Sequence, residues 1–238
     1  TTGIWYKIKI RFVFISLMLM LSACSFTSVK EPKYLFKASM LVKENHTWYK
    51  AFIHFGKLIE ERSEGRMKLE VYPSEQLAKE LEAIRLIKAE VIDMTISAGS
   101  LTNFAEILIF SDMPFLLKDT LSMHKLINSA IGKRIEREMI EKIGVRPLGY
   151  FQRGERHLTS NRPIKHLDDL DELIIRVPNV PSYVVAWKAL GAKPTPMAFS
   201  EVFSSLQQGT IEAQENPFAM IKNAGFSEVQ KYLNLTGH

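Results

Sequence analysis

From Arg66 to Tyr72 the chain alternates, with Met67, Leu69 and Val71 apolar, Arg66, Lys68 and Glu70 charged, and Pro73 closing the run. A period of two marks a strand with one face buried. Tyr34 to Met40 is a shorter strand candidate. Between them, Trp48, Phe52, Phe55 and Ile59 recur at helical spacing. Thr47 can cap that helix and Gly65 can stop it, so the pattern predicts a helix over residues 47–64. Lys79 to Glu90 repeats the helical pattern, with Leu81, Ile84 and Ile87 on one face. A strand over Val91–Ile96 and a turn at Ser97-Ala98-Gly99-Ser100 follow. The order β-α-β-α-β implies a mostly parallel sheet flanked by helices, with ligand-prone loops at the carboxyl ends of its strands.

Residues 120–143 read as one long helix, its charges at Lys133, Arg134, Glu136, Arg137 and Glu138 on the solvated face. Val145–Phe151 and His157–Ser160 read as strands on either side of Arg153-Gly154-Glu155-Arg156. A helical turn at Leu167–Leu170 precedes the strand Leu173–Val177. Helices are predicted at Val180–Leu190, Phe199–Gln208 and Pro217–Leu233, with Glu212–Asn216 a short strand or connector. The fold class is α/β, drawn as two lobes, residues 34–152 and 153–238.

The N-terminus has a different character. Lys7, Lys9 and Arg11 precede an apolar run, Phe12 to Leu21. Such a run rises only about 15 Å as a helix, short of a bilayer core of roughly 30 Å. Basic flank, short apolar run and small residues make an export signal over residues 1–23. Leu21-Ser22-Ala23-Cys24 resembles the lipobox of bacterial lipoproteins, which implies acylation of Cys24 and a lipid anchor at a membrane surface. Residues 24–33 then act as a tether. Outside the cytoplasm there is no nucleotide supply, so NTP-dependent activity is not expected.

Composition narrows the chemistry further. At 238 residues and 46% apolar, the chain is long and apolar enough to bury a core and is not intrinsically disordered. One Cys excludes an internal disulfide and any Cys-rich metal site. Of the net charge of +5, three positive charges lie in the export signal, and the remainder holds no basic run to track a phosphate backbone. No nucleic-acid partner is expected. There is no Gly-x-Ser-x-Gly elbow, phosphate-binding Gly loop or His-Glu-x-x-His, and the His residues lack ligand spacing, so neither enzyme, cofactor nor metal site is expected. Arg176 stands out because it interrupts the apolar strand Leu173–Val177, where an unpaired charge is costly. It serves either a structural ion pair or a ligand carboxylate held by the guanidinium fork. Local context makes Arg156 a structural residue, Phe199 a core residue and Asn216 a turn or cap residue.

Several blocks in order change those readings. Gly191-Ala192-Lys193-Pro194-Thr195-Pro196-Met197-Ala198-Phe199-Ser200-Glu201-Val202, Leu206-Gln207-Gln208-Gly209 and Gln214-Glu215-Asn216-Pro217 resemble the solute-binding proteins of tripartite ATP-independent periplasmic (TRAP) transporters, the DctP-type family. The stretches Arg156 to Ile164, Ile175 to Pro178, Glu228 to Leu233, Tyr72 to Leu77 and Asp112 to Leu116 fit the same family. The resemblance implies two lobes of a periplasmic-binding-protein-like fold closing on an organic anion, a C4-dicarboxylate or related carboxylic acid, delivered to integral membrane TRAP subunits. It assigns the ligand carboxylate to Arg176, a second cationic contact to Arg156, packing to Phe199 and a hydrogen bond to Asn216. The loop from Ser97 to Ser100, with Ser97 and Gly99, lines the cleft. Ala98 and Leu101 stand where sialate-binding members carry Glu and Arg, which argues against a sialate. Asp171-Glu172 replaces the usual Lys-Gly before the Ile-Arg-Val strand. The resemblance also implies that roughly the last quarter of the fold lies beyond His238. The alternatives are a sensory ligand-binding module for a signalling partner and a non-functional truncated remnant.

Overall fold

The computed structural model describes residues 31–97, 99–111, 113–117 and 119–238. The expected signal over residues 1–23, Cys24 and all but the end of the tether lie outside the described residues. Residues 33–238 make one compact unit built on two sheets. In the first, β1 (Tyr34–Ser39) is the middle strand, with β2 (Met67–Tyr72) and β3 (Met94–Thr95) parallel to it on either side. Helices α1 (Thr47–Arg62) and α2 (Glu80–Lys88) form the crossovers, as the β-α-β-α-β pattern requires. Gly56 lets α1 lie close on β2, since a Cβ there would meet Leu69 Cβ at 3.3 Å. The cap of α1 is His46 and not Thr47, because the His46 Nδ1 accepts from the Trp48 amide at 3.1 Å. β3 is shorter than its apolar run, since only Met94 and Thr95 find ladder partners on β1.

The long helix expected over 120–143 is broken. α3 (Thr120–Ile127) is capped by Asp119, and α4 (Ala130–Glu138) by Ser129, whose Oγ accepts from the Ile131 and Gly132 amides at 3.1 and 3.3 Å. A π-turn, Met139–Ile143, ends at Gly144. The break lets Ile135, Met139 and Ile143 pack with Ile84 and Leu108 in one apolar cluster. Val145–Phe151 is not a strand. No described strand pairs with it, Pro147 lacks an amide donor, and Leu148, Tyr150 and Phe151 are exposed.

The second sheet has the order β6-β5-β7-β4-β8. β5 (Ile174–Val177) runs parallel to β6 (Lys193–Pro196) and β7 (Ala213–Pro217), while β4 (Arg156–Ser160) runs antiparallel to β7 and β8 (Tyr232–Asn234). α5 (Pro181–Ala189), α6 (Val202–Gln208) and α7 (Phe218–Ala224) complete this half. The helix expected over 217–233 stops at Gly225, whose φ of +78° favours a residue without a side chain. The chain then turns into β8, where the Asn234 side-chain Nδ2 donates to Leu158 O at 3.1 Å and to Ser160 Oγ at 2.9 Å. The halves meet where Met40 and Val42, just past β1, share an apolar cluster with Met220 of α7.

The turn between α3 and α4 depends on Gly132, where a Cβ would come within 2.1 Å of the Ile127 carbonyl oxygen. Backbone cannot yield there as a flexible side chain could. Gly132→Ala is therefore expected to destabilise the protein by about 1–3 kcal/mol, read as a lower urea midpoint at unchanged m. An unchanged midpoint would rule out this close turn.

Candidate functional site

A cavity of about 1470 Å³ opens between the two sheets. It exceeds the roughly 300–1,000 Å³ of most small-molecule sites, so a small acid would fill only part of it. Ser97, Gly99, Arg156, Arg176, Phe199 and Asn216, the candidate site residues scattered through the sequence, all line it. Cys24, the candidate lipidation site, lies outside the described residues. No cluster of potential metal ligands occurs among the described residues.

Arg176 sits on β5 with its side chain buried. Its Nε and Nη2 donate to the Met197 carbonyl at 3.1 and 2.7 Å, and its guanidinium stands 5.9 Å from the Phe199 ring centre. No carboxylate forms an ion pair with it among the described residues. Burial lowers its pKa to about 10, with the charge of Glu215 opposing the shift and that of Arg156 adding to it. It thus stays cationic at neutral pH, desolvated, with Glu215, Glu80 and Glu75 acting on it only at a distance. Of the two readings its strand position left open, the structural ion pair is absent among the described residues.

Arg156 is in the opposite state. Its Nε pairs with Glu215 Oε2, and its Nη2 donates to Glu215 Oε1 and to the Glu215 carbonyl, both at 2.9 Å. Tyr183 lies under the guanidinium at 5.3 Å. Burial pushes the Glu215 carboxyl up, but the Arg156 charge and a 3.2 Å contact from His238 Nε2 outweigh it and bring it to about 2. Arg156 therefore reaches the cavity wall with its charge already met by a protein carboxylate.

Asn216 accepts from Arg156 Nη2 at 3.3 Å and donates to Gln214 Oε1 at 2.6 Å. Gln214 donates to Thr159 at 2.8 Å, and Thr159 to Gln230 at 2.9 Å. This buried chain fixes which way the Asn216 amide faces. Ser97 Oγ donates to Glu80 Oε1 at 2.7 Å, so the loop after β3 is tied to the start of α2. Ser182, on the first turn of α5, lines the cavity with a buried Oγ that has no hydrogen-bond partner among the described residues. Sequence reading missed Glu215, Glu80 and Ser182. None of the three carried a local signal: Glu215 stands between the polar Gln214 and Asn216, so its strand does not mark it as a buried charge.

A family model described as bacterial extracellular solute-binding protein, family 7 (DctP), matches residues 38–238. The solute-binding protein RD1_1052 of Roseobacter denitrificans is 46% identical over 202 residues, covering 85% of this chain and 62% of that protein. The 2,3-diketo-L-gulonate-binding periplasmic protein YiaO of Escherichia coli is 37% identical over 188 residues, covering 77% of this chain and 56% of that protein. The chain thus spans about three fifths of the length of these relatives. A crystal structure of the TRAP periplasmic solute-binding protein RD1_1052 with bound L-galactonate superposes with a TM-score of 0.86 at 44% identity, covering 88% of this chain and 70% of that one.

The buried pair makes two linked predictions. Glu215→Gln leaves Arg156 buried without a counter-charge and is expected to destabilise the protein by about 3–5 kcal/mol in urea unfolding at neutral pH. The folded pKa of Glu215 lies below its ordinary 4.5, so its stabilisation is complete above that value and is lost as pH falls toward about 2. The parent should lose stability across that window more steeply than the variant. Parallel pH profiles would remove Glu215 as the source.

Proposed function

The chain belongs to family 7 of the bacterial extracellular solute-binding proteins, and from that premise we propose that it is a receptor for a small organic acid. The single observation that carries this reading is Arg176, a buried cation at the cavity wall with no carboxylate partner among the described residues. A ligand carboxylate supplies that counter-charge, accepting from the guanidinium in the desolvated wall, where a charged hydrogen bond is strongest. Asn216, held by Arg156 and Gln214, offers an oriented amide, and Phe199 an apolar face. Hydroxyl groups on the acid find further partners in Ser97 and Ser182. Its ligand is a sugar acid of the galactonate kind ahead of a C4-dicarboxylate, a reading supported by the L-galactonate bound to RD1_1052 and by the 2,3-diketo-L-gulonate named for YiaO.

The receptor works outside the cytoplasm. Residues 1–23 direct export, Cys24 carries a lipid anchor, residues 24–33 tether the protein, and residues 34–152 and 153–238 act as the two lobes. The basic flank, short apolar run and Leu-Ser-Ala-Cys ending support that assignment. No helix among the described residues is long and apolar enough to cross a membrane. Ligand touching both halves favours the closed form in proportion to the contacts it makes only there. The closed form then presents the acid to the integral membrane subunits of a TRAP transporter.

The test is a thermal-shift and calorimetric series on the full chain with L-galactonate, 2,3-diketo-L-gulonate, succinate, malate and sialate. A ligand that binds only the folded state raises the melting temperature, and one sugar acid is expected to do so. Arg176→Ala should weaken its binding by about 30-fold to several-thousand-fold, equivalent to about 2–5 kcal/mol. Equal affinity in a folded variant would remove Arg176 as the anchor; no shift with any acid would sink the receptor reading.

A further inference from the structure

The short segment 197–201 carries two of the groups around Arg176: the Met197 carbonyl that accepts its guanidinium and the Phe199 ring beside it. The same segment is held from the first half of the molecule. The Ser200 amide donates to Glu75 Oε2 at 3.0 Å, and Glu201 pairs with Lys79. The other oxygen of Glu75 accepts from the Glu80 amide at 3.2 Å. Glu80, in turn, accepts from Ser97 of the cavity loop. One carboxylate therefore joins the turn bearing Phe199 to the helix start that holds Ser97.

Glu75 keeps this place against its own backbone. Ser74 and Glu75 have φ of +54° and +57°, a left-handed conformation that side chains disfavour. Two hydrogen bonds pin them there, from the Ser74 amide to Val42 O at 2.9 Å and from the Glu75 amide to Met40 O at 2.8 Å. Met40 and Val42 belong to the apolar cluster where the halves meet, against which Phe199 also packs. Such strain persists only where the surroundings over-determine it, and it gathers where a site must be held in place.

We infer that Glu75 is a positioning residue for the ligand site: its carboxylate, shared between the Glu80 and Ser200 amides, holds Phe199 and the Met197 carbonyl in register with Arg176 and the Ser97 loop. This rests on the receptor reading above. Glu75 does not line the cavity; it acts through the segment it holds, and its negative charge also reaches Arg176. The neighbouring Lys79–Glu201 pair is exposed, and screened pairs of that kind contribute little.

Glu75→Gly separates positioning from plain structural support. Glycine is at ease at this φ, so relief of strain offsets the lost hydrogen bonds, and the melting temperature without ligand is expected to stay nearly unchanged. Affinity for the acid of the above panel that binds the parent best should fall about tenfold, mostly through faster dissociation, the scale of a lost hydrogen bond to a charged group. Glu75→Gln, which keeps one acceptor, should recover part of that loss, while Lys79→Ala should change affinity less than about threefold. Unchanged affinity in Glu75→Gly, with the parent binding normally, overturns the positioning role and leaves the receptor reading intact. A loss of affinity matched by an equal loss of thermal stability also overturns it. A parent that binds no acid of the panel overturns both.

Discussion

The second half of the molecule is organised around the ion pair of Arg156 and Glu215. Strands β4 and β7 are buried along their whole length, yet between them they carry Arg156, His157, Gln214, Glu215 and Asn216. Charges in that environment are tolerated only when they meet each other and their remaining hydrogen-bonding groups are satisfied. The antiparallel register pairs Arg156 with Pro217 and Leu158 with Glu215. It brings the guanidinium back onto the carboxylate one strand over. A slip of one residue would turn Glu215 to the other face of the sheet, so the pair and the register enforce each other. Asn216, Gln214, Thr159 and Gln230 extend the polar chain across the same strands.

Arg176 shows what the cavity wall can do because it differs from Arg156 only in its surroundings. Both are buried guanidinium groups in one sheet, and both face the same space. Arg156 has spent its charge on Glu215. Among the described residues Arg176 contacts a carbonyl oxygen and an aromatic ring, neither of which carries a full negative charge. The wall thus presents a cation with no carboxylate in ion-pair contact among the described residues, beside an oriented amide and an apolar ring. On the receptor reading proposed above, that arrangement suits an acid with a single well-held carboxylate and neutral polar groups farther along.

The first sheet and its crossovers were legible because alternation and helical periodicity report burial directly, and local burial is what those elements share with their final state. Legibility failed where a tertiary neighbour decided the outcome. Residues 120–143 keep one helical period, yet Ser129 caps a new helix inside them so that Ile135 and Met139 reach Ile84. Val145–Phe151 has strand-like residues and no partner strand among the described residues. Residues 217–233 pattern as a helix until Gly225, after which the edge of β4 takes the chain as β8.

The candidate site divides in the same way. Arg176 was conspicuous from the chain alone because a charge inside an apolar strand violates a local rule, and such violations mark either a partner or a task. The motif blocks around Phe199 and Asn216 pointed to the same site through family resemblance. What the chain alone left open was which arginine has a protein counter-charge, which backbone carbonyl meets Arg176, and that Glu75 reaches Ser200 from the other half. Those facts depend on groups far apart in sequence being brought within hydrogen-bonding distance. Periodicity reports which side of an element is buried, and only the packed structure determines what it is buried against.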